Sequence, residues 1–188
     1  SGCNTTELTF SQAETRIVAI FWGSDTAQVI QIGSVDDPYA GSPAVAVRVD
    51  RKVLLDSTRL SPEVVSDLVA QHQSRGVAHA KGFGQHPSSR SLRSDRTWGG
   101  KALSVDLLDP AERGHLMPYD EARRQDISVI VKSGAVRAIR IVDFRSDPKK
   151  NPIEIRVGNS SWVNSRLSQG DCTDLFGGPV KEQKYFTE

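Results

Sequence analysis

Arg137, Arg140 and Arg145 punctuate the β-branched run 136–145. At a strand's period of two, Arg137, Ile139, Ile141, Asp143 and Arg145 share one face, and Val136, Ala138, Arg140, Val142 and Phe144 the other. Guanidinium forks projecting from such a strand hold phosphate oxygens bidentately, so the run reads as a phosphate-binding element; it reads equally as a ladder of surface salt bridges. Upstream, Phe83 and Trp98 are interleaved with Lys81, Arg90, Arg93 and Arg96. Aromatic faces stack bases while cations follow the backbone, so Arg96 and Trp98 suit single-stranded nucleic acid. The structural alternative for Trp98 is to anchor its loop in the core.

Acid–base chemistry would fall to the histidines. His72 lies on the apolar stripe of an expected helix and reads as a core or boundary residue, while His79 and His86 sit in a loop. His115 stands apart in Glu112-Arg113-Gly114-His115-Leu116-Met117-Pro118, which makes Glu112 and His115 the candidate catalytic pair. That segment is similar to the Arg-Gly-His core of the non-specific ββα-metal endonucleases. The resemblance implies that His115 activates water beside a metal-bound phosphate. Residues 119–126 lack the asparagine that family uses for metal, offering Asp120, Glu121 and Asp126 instead.

The cysteines, Cys3 and Cys172, stand near opposite ends with no Cys-x-x-Cys spacing, which disfavours a metal site or a redox motif. A disulfide between them is the simplest expectation, and it requires an oxidising compartment. The sequons at Asn4 and Asn159 are compatible with glycosylation on a secretory route. A mature secreted chain would have lost its leader. The alternative is a bacterial envelope lipoprotein, with Ser1-Gly2-Cys3 as the end of a lipobox and Cys3 lipidated.

At 188 residues a single domain is the default. No apolar run approaches the ~18 residues of a membrane-spanning helix. The 24 basic and 23 acidic residues nearly cancel, but from Arg90 to Arg156 there are 14 basic and 10 acidic. That leaves net +4 there and net −3 elsewhere, since the whole chain carries +1. Such an excess suits a phosphate-binding or acidic-partner patch, and falls well short of a dedicated DNA binder.

To position these groups, the sequence predicts a helix from Ser11, capped by Ser11 and Glu14, with Ala13, Ile17, Ile20 and Phe21 on one face and Gly23 as its stop. Strands are expected at 29–32 and 44–55, and a second helix from Pro62, with Val65, Leu68, Val69 and His72 as its stripe, ending at Gly76. A long basic loop follows at 79–100. After a short strand at 103–108 and one or two helical turns at 118–124, three runs, 127–131, 136–144 and 153–157, form an antiparallel meander. Residues 177–188 read as a flexible tail. The fold class is then α+β: an N-terminal helix packed on an antiparallel β-meander, with a long central loop insertion.

Cys3 followed by the segment Arg16-Ile17-Val18-Ala19-Ile20-Phe21 resembles the start of the RNase-like effectors secreted by plant-pathogenic fungi, which bridge cysteines near both termini. Arg96-Thr97-Trp98, then the runs 127–133 and 138–144, are similar to the central meander of microbial ribonucleases, including barnase and the guanyl-preferring fungal enzymes. Together these cover about half the chain. Ribonuclease chemistry needs a carboxylate base, an imidazole acid and arginine. No carboxylate occupies Gly99, Gly100, Lys101 or Ser104, and the strand expected to supply histidine carries Val142-Asp143-Phe144. The resemblance therefore implies a pseudoenzyme: a secreted, monomeric virulence effector, delivered into host cells, that binds host RNA or a host protein such as an immune receptor. It calls for no cofactor. The alternative is an active endonuclease, metal-dependent at Arg113-Gly114-His115 or metal-independent through a loop histidine.

Overall fold

The computed structural model describes residues 3–12, 15–34, 43–71, 103–108, 125–147 and 149–187. These residues form two antiparallel sheets. In chain order the strands are β1 (Cys3–Gln12), β2 (Thr15–Trp22), β3 (Val29–Gly33), β4 (Val45–Val49), β5 (Lys52–Asp56), β6 (Leu103–Asp106), β7 (Gln125–Lys132), β8 (Ala135–Asp143), β9 (Ile153–Val157), β10 (Val163–Asn164) and β11 (Lys181–Thr187). Residues 62–71 are helical (α1), and α2 spans Gln169–Phe176. The larger sheet runs β11-β1-β2-β3-β8-β7-β6 and the smaller β10-β9-β4-β5.

The expected helix-on-meander α+β arrangement is therefore corrected to a mainly β fold. Where a first helix was expected, β1 and β2 form a hairpin. The run 17–21 is apolar at every position, so its spacing satisfied helical and strand periods alike. Its neighbours decide the matter: Ile17, Ala19 and Phe21 are buried while Val18 and Ile20 are half-exposed, a period of two. β-branched residues at 15, 17, 18 and 20 favour the pleated conformation.

Two rows of side chains build the inner face of the larger sheet. Phe10, Ile17, Ile32, Ile139, Val129 and Val105 lie opposite one another in succession; Leu8, Ala19, Ile30, Ile141 and Ile127 form the next row. All are buried. Val45, Val47, Ile153 and Ile155 of the smaller sheet join the same apolar cluster, as do Leu167 and Phe176. One core shared by two antiparallel sheets is a β-sandwich.

The expected three-strand meander is also divided. β7 and β8 pair in the larger sheet, whereas β9 pairs with β4 in the smaller one. The single strand expected at 44–55 is a hairpin, β4–β5, turned at Asp50 and Arg51, both with positive φ (46° and 67°). Two successive left-handed residues make the tight turn that matches strand twist. Asp-Arg is not a usual sequence for that turn, which is why the break was not visible. Residues 177–188, expected as a tail, carry β11, paired along β1.

α2 begins with a reciprocal capping box: the Ser168 hydroxyl accepts from the Asp171 N–H, and the Asp171 carboxylate accepts from the Ser168 N–H. The helix packs Phe176 against Phe10, ring centroids 5.6 Å apart, and places Cys172 in the core. Cys172 is a free thiol, which corrects the expected Cys3–Cys172 disulfide. Cys3 begins β1, seven residues from Phe10, where the helix packs; that is roughly 23 Å of extended chain. Burial pushes the Cys172 thiol up from 9.0 to about 12, with the Asp171 charge adding to it. Because the folded chain holds this proton where the unfolded chain releases it, stability falls as pH rises from about 9 to 12. At pH 8 the folded thiol is expected to alkylate at least ~1,000-fold more slowly than in denaturant, three pKa units being a thousandfold in thiolate. Mass spectrometry after timed iodoacetamide labelling checks this, and rapid labelling of folded Cys172 would contradict its burial.

Candidate anion-binding face

Arg145 was a candidate phosphate ligand, and its surroundings give it other work. Its Nε and Nη2 donate to the two oxygens of Asp143 at 2.7 Å each, and Nη1 donates to the Lys150 and Asn151 carbonyls at 2.7 and 2.9 Å. Both side chains are buried. Four of the five guanidinium N–H groups are thereby spent on the protein, leaving no fork for a phosphate. Arg166 adds to this knot, donating to the Asp143 carbonyl and to Thr26 Oγ1. The group ties β8 to the segments following it.

Arg137 takes a different position from the one strict alternation assigns. On β7 the partner of Ile130 is Ala138, but the partner of Val131 is Val136, so Arg137 is the extra residue of a β-bulge. The bulge restores Val136 to the core side with Val131, and it brings the Arg137 carbonyl against Gly33 of β3. Arg137 itself is half-exposed and engaged with a neighbour.

Arg140 is the candidate whose Nε meets no acceptor among the described residues. It projects from the outer face of the larger sheet, between Gln31 of β3 and Ser128 of β7, its directly opposed neighbours. The row continues through Val18, Thr9 and Lys181 on one side and Asp106 on the other. Ala138, Val142, Val29 and Ile130, all buried, lie along and around it. The Arg140 Nε is enclosed and has no acceptor. An enclosed guanidinium N–H in apolar surroundings costs free energy until an acceptor meets it, and charge strengthens the preference for an anion.

A second cationic group lies on the outer face of the smaller sheet. Arg48 forms a bidentate pair with Glu154, at 2.7 and 3.0 Å, and its guanidinium lies 4.4 Å from the Trp162 ring centroid. Arg156 approaches the same ring at 5.0 Å and reaches Asp56 at 3.4 Å. The Arg48 hydrogen bond holds the Glu154 carboxyl below its usual range, and the Thr58 hydroxyl does the same for Asp56. Trp162 was not anticipated as an interaction centre, because its arginines come from positions over a hundred residues apart in sequence and from the neighbouring strand. Each cation here already has a carboxylate, so the group reads as a closed sheet-bracing stack. An open cleft of about 460 Å³, lined by Asn164, Arg166, Asp171, Asp174 and Leu175 among others, offers carboxylates beside an arginine already engaged.

The other expected site residues fall elsewhere. Arg96, Trp98, Glu112 and His115 lie outside the described residues, as do His72, His79 and His86 and the basic loop 79–100. Asn4 and Asn159 are exposed. Among the described residues no group of three or more histidine, cysteine or acidic side chains is placed to hold a metal, and no helix is long and apolar enough to cross a membrane.

No protein-family model, no curated protein and no solved structure matches the chain.

Proposed function

We propose that the protein is a binding module that receives a carboxylate of a partner protein at Arg140, on the outer face of its larger sheet. The observation that carries this is half-exposed Arg140, set between Gln31 and Ser128, whose Nε meets no acceptor among the described residues. Arg145, by contrast, is consumed in its pair with Asp143.

A single anionic group fits better than a nucleic-acid backbone. Tracking successive phosphates takes several cations in line. Here Asp106 shares the row of Arg140, and Asp126 and Glu7 stand in the next row. The residues directly beside Arg140, Gln31 and Ser128, add no further cation to make such a line, whereas one carboxylate needs only Arg140. From the RNase-like resemblance this reading keeps binding without catalysis and sets aside RNA as the partner. Secretion belongs to the same proposal, supported by the exposure of Asn4 and Asn159, and glycan mass added on passage through a eukaryotic secretory pathway tests it.

The binding test compares a Glu-rich peptide with a short single-stranded RNA at low salt, by calorimetry, on the wild type, Arg140→Ala and Arg48→Ala. Peptide affinity is expected to fall about 10–100-fold in Arg140→Ala, the range for losing a charged hydrogen-bond partner, and to be unchanged in Arg48→Ala. RNA binding with a steep salt dependence, lost in Arg140→Ala, would replace the protein partner with RNA. Absence of binding to both probes would overturn the assignment of Arg140.

A further inference from the structure

Strand β11 is an edge of the larger sheet: it pairs with β1 on one side, and no described strand lies on the other. It also carries two of the most exposed large apolar side chains on the described surface, Phe186 at 72% and, just before it, Val180 at 67%. Edge strands are usually guarded by charges that oppose another copy. Lys181, Glu182 and Lys184 look like such guards, but their order makes them selective rather than repulsive.

We propose that β11 pairs antiparallel with β11 of a second copy of this chain, about a two-fold axis at Gln183, joining the two larger sheets into one. Consider the registers that keep both core faces on the same side. Centred on Glu182 or Lys184, the strands oppose two like charges on the axis. Centred on Gln183, every opposition is complementary: Glu182 faces Lys184 of the second copy, Lys181 faces Tyr185, and Val180 faces Phe186, each occurring twice by symmetry. The Lys184–Glu182 ion pair within one chain, 3.0 Å on a shared face and largely exposed, shows that both charges already lie along the strand and need only exchange partners. Lys181 over the Tyr185 ring adds a cation–π contact. Val180 and Phe186 form an apolar cluster at each end, covering the most exposed large apolar side chains among the described residues. Such an interface is isologous and closes at two copies. One pair of edge strands buries less surface than a permanent dimer, so the association is concentration-dependent.

Charge exchange tests the register. In sedimentation equilibrium, the wild type is expected to dimerise as concentration rises. Glu182→Lys and Lys184→Glu each oppose like charges and should self-associate roughly 10-fold more weakly, whereas an equimolar mixture of the two should recover wild-type affinity, both cross pairs then being opposite. Cross-linking gives a second readout in a Cys3→Ser background. Gln183→Cys places two thiols across the axis, within the ~4.4–6.8 Å Cα separation a disulfide spans. Tyr185→Cys places them four residues apart along the ladder, beyond that reach. Rapid dimer cross-linking in Gln183→Cys alone supports the register. A monomer at every concentration up to the solubility limit, or equal cross-linking at both positions, would overturn the proposal. None of these outcomes depends on ligand binding at Arg140.

Discussion

Replacing Arg145 with Met is expected to lower the unfolding free energy by about 3–5 kcal/mol, the cost of leaving one member of a buried ion pair alone. Asp143 is then left buried without the Arg145 Nε and Nη2 donors that its two oxygens accept from at 2.7 Å. The same substitution frees the Lys150 and Asn151 carbonyls, which accept from Nη1. Asn151 stands at φ 50°, a left-handed conformation that this hydrogen bond helps to hold. The double variant Asp143→Leu/Arg145→Met should lose markedly less than Arg145→Met alone, because apolar residues of similar volume leave no buried charge. Urea unfolding of the three proteins checks both statements. A loss below ~1 kcal/mol in Arg145→Met, the level of exposed pairs, would mean that water reaches Asp143 and that the pair is not sealed. Were Arg145 instead a ligand for an anion, its replacement would cost binding and leave stability nearly untouched.

Gly33→Val should be about as damaging, by roughly 2–6 kcal/mol, combining overpacking (~1–3) with backbone strain (~1–3). A Cβ on Gly33 would stand 2.2 Å from the Arg137 carbonyl oxygen and 3.0 Å from the Ala138 Cα. Neither neighbour is a flexible side-chain tip that can swing away. Both are backbone of β8, where the bulge at Arg137 pushes the chain toward β3. Gly33 also holds φ 100°, which valine does not tolerate. Thermal unfolding measures the loss. Gly134 provides the contrast: its φ is also positive, at 73°, but nothing lies within 4 Å of an added Cβ. Gly134→Ala should therefore cost only the conformational part, ~1–3 kcal/mol. Equal losses at the two glycines would remove the close approach to Arg137 as the cause.

These two sites mark where reading the chain as a string of local patterns succeeded and where it stopped. The runs that became β3, β6, β7, β8 and β9 were all visible, since β-branched residues crowd them and turn residues bound them. α1 was equally visible from Pro62 onward. The first hairpin was not, because five consecutive apolar residues at 17–21 carry no period. Its strand pairing is settled by Phe10 and Leu8 opposite Ile17 and Ala19, contacts between separate segments.

The candidate site shows the same division. Arg137, Arg140 and Arg145 were identified together because they are close in sequence and share a chemistry. Alternation placed Arg137 and Arg145 on one face, yet it cannot register an inserted residue, and the bulge at Arg137 resets the count. Nor can it show that the Lys150 and Asn151 carbonyls return to meet Arg145.

Composition and local pattern by themselves determined that this chain is rich in strands toward its later half, and singled out Arg137, Arg140 and Arg145 as candidate anion ligands. Only the tertiary structure decided that Arg145 is spent on Asp143, that Cys172 is a buried thiol, and that β9 leaves β8 for a different sheet. The reason is physical. Strand propensity and hydrogen-bonding capacity belong to residues and their neighbours, whereas pairing partners, burial and the neutralisation of a charge belong to groups that folding brings together from distant parts of the chain.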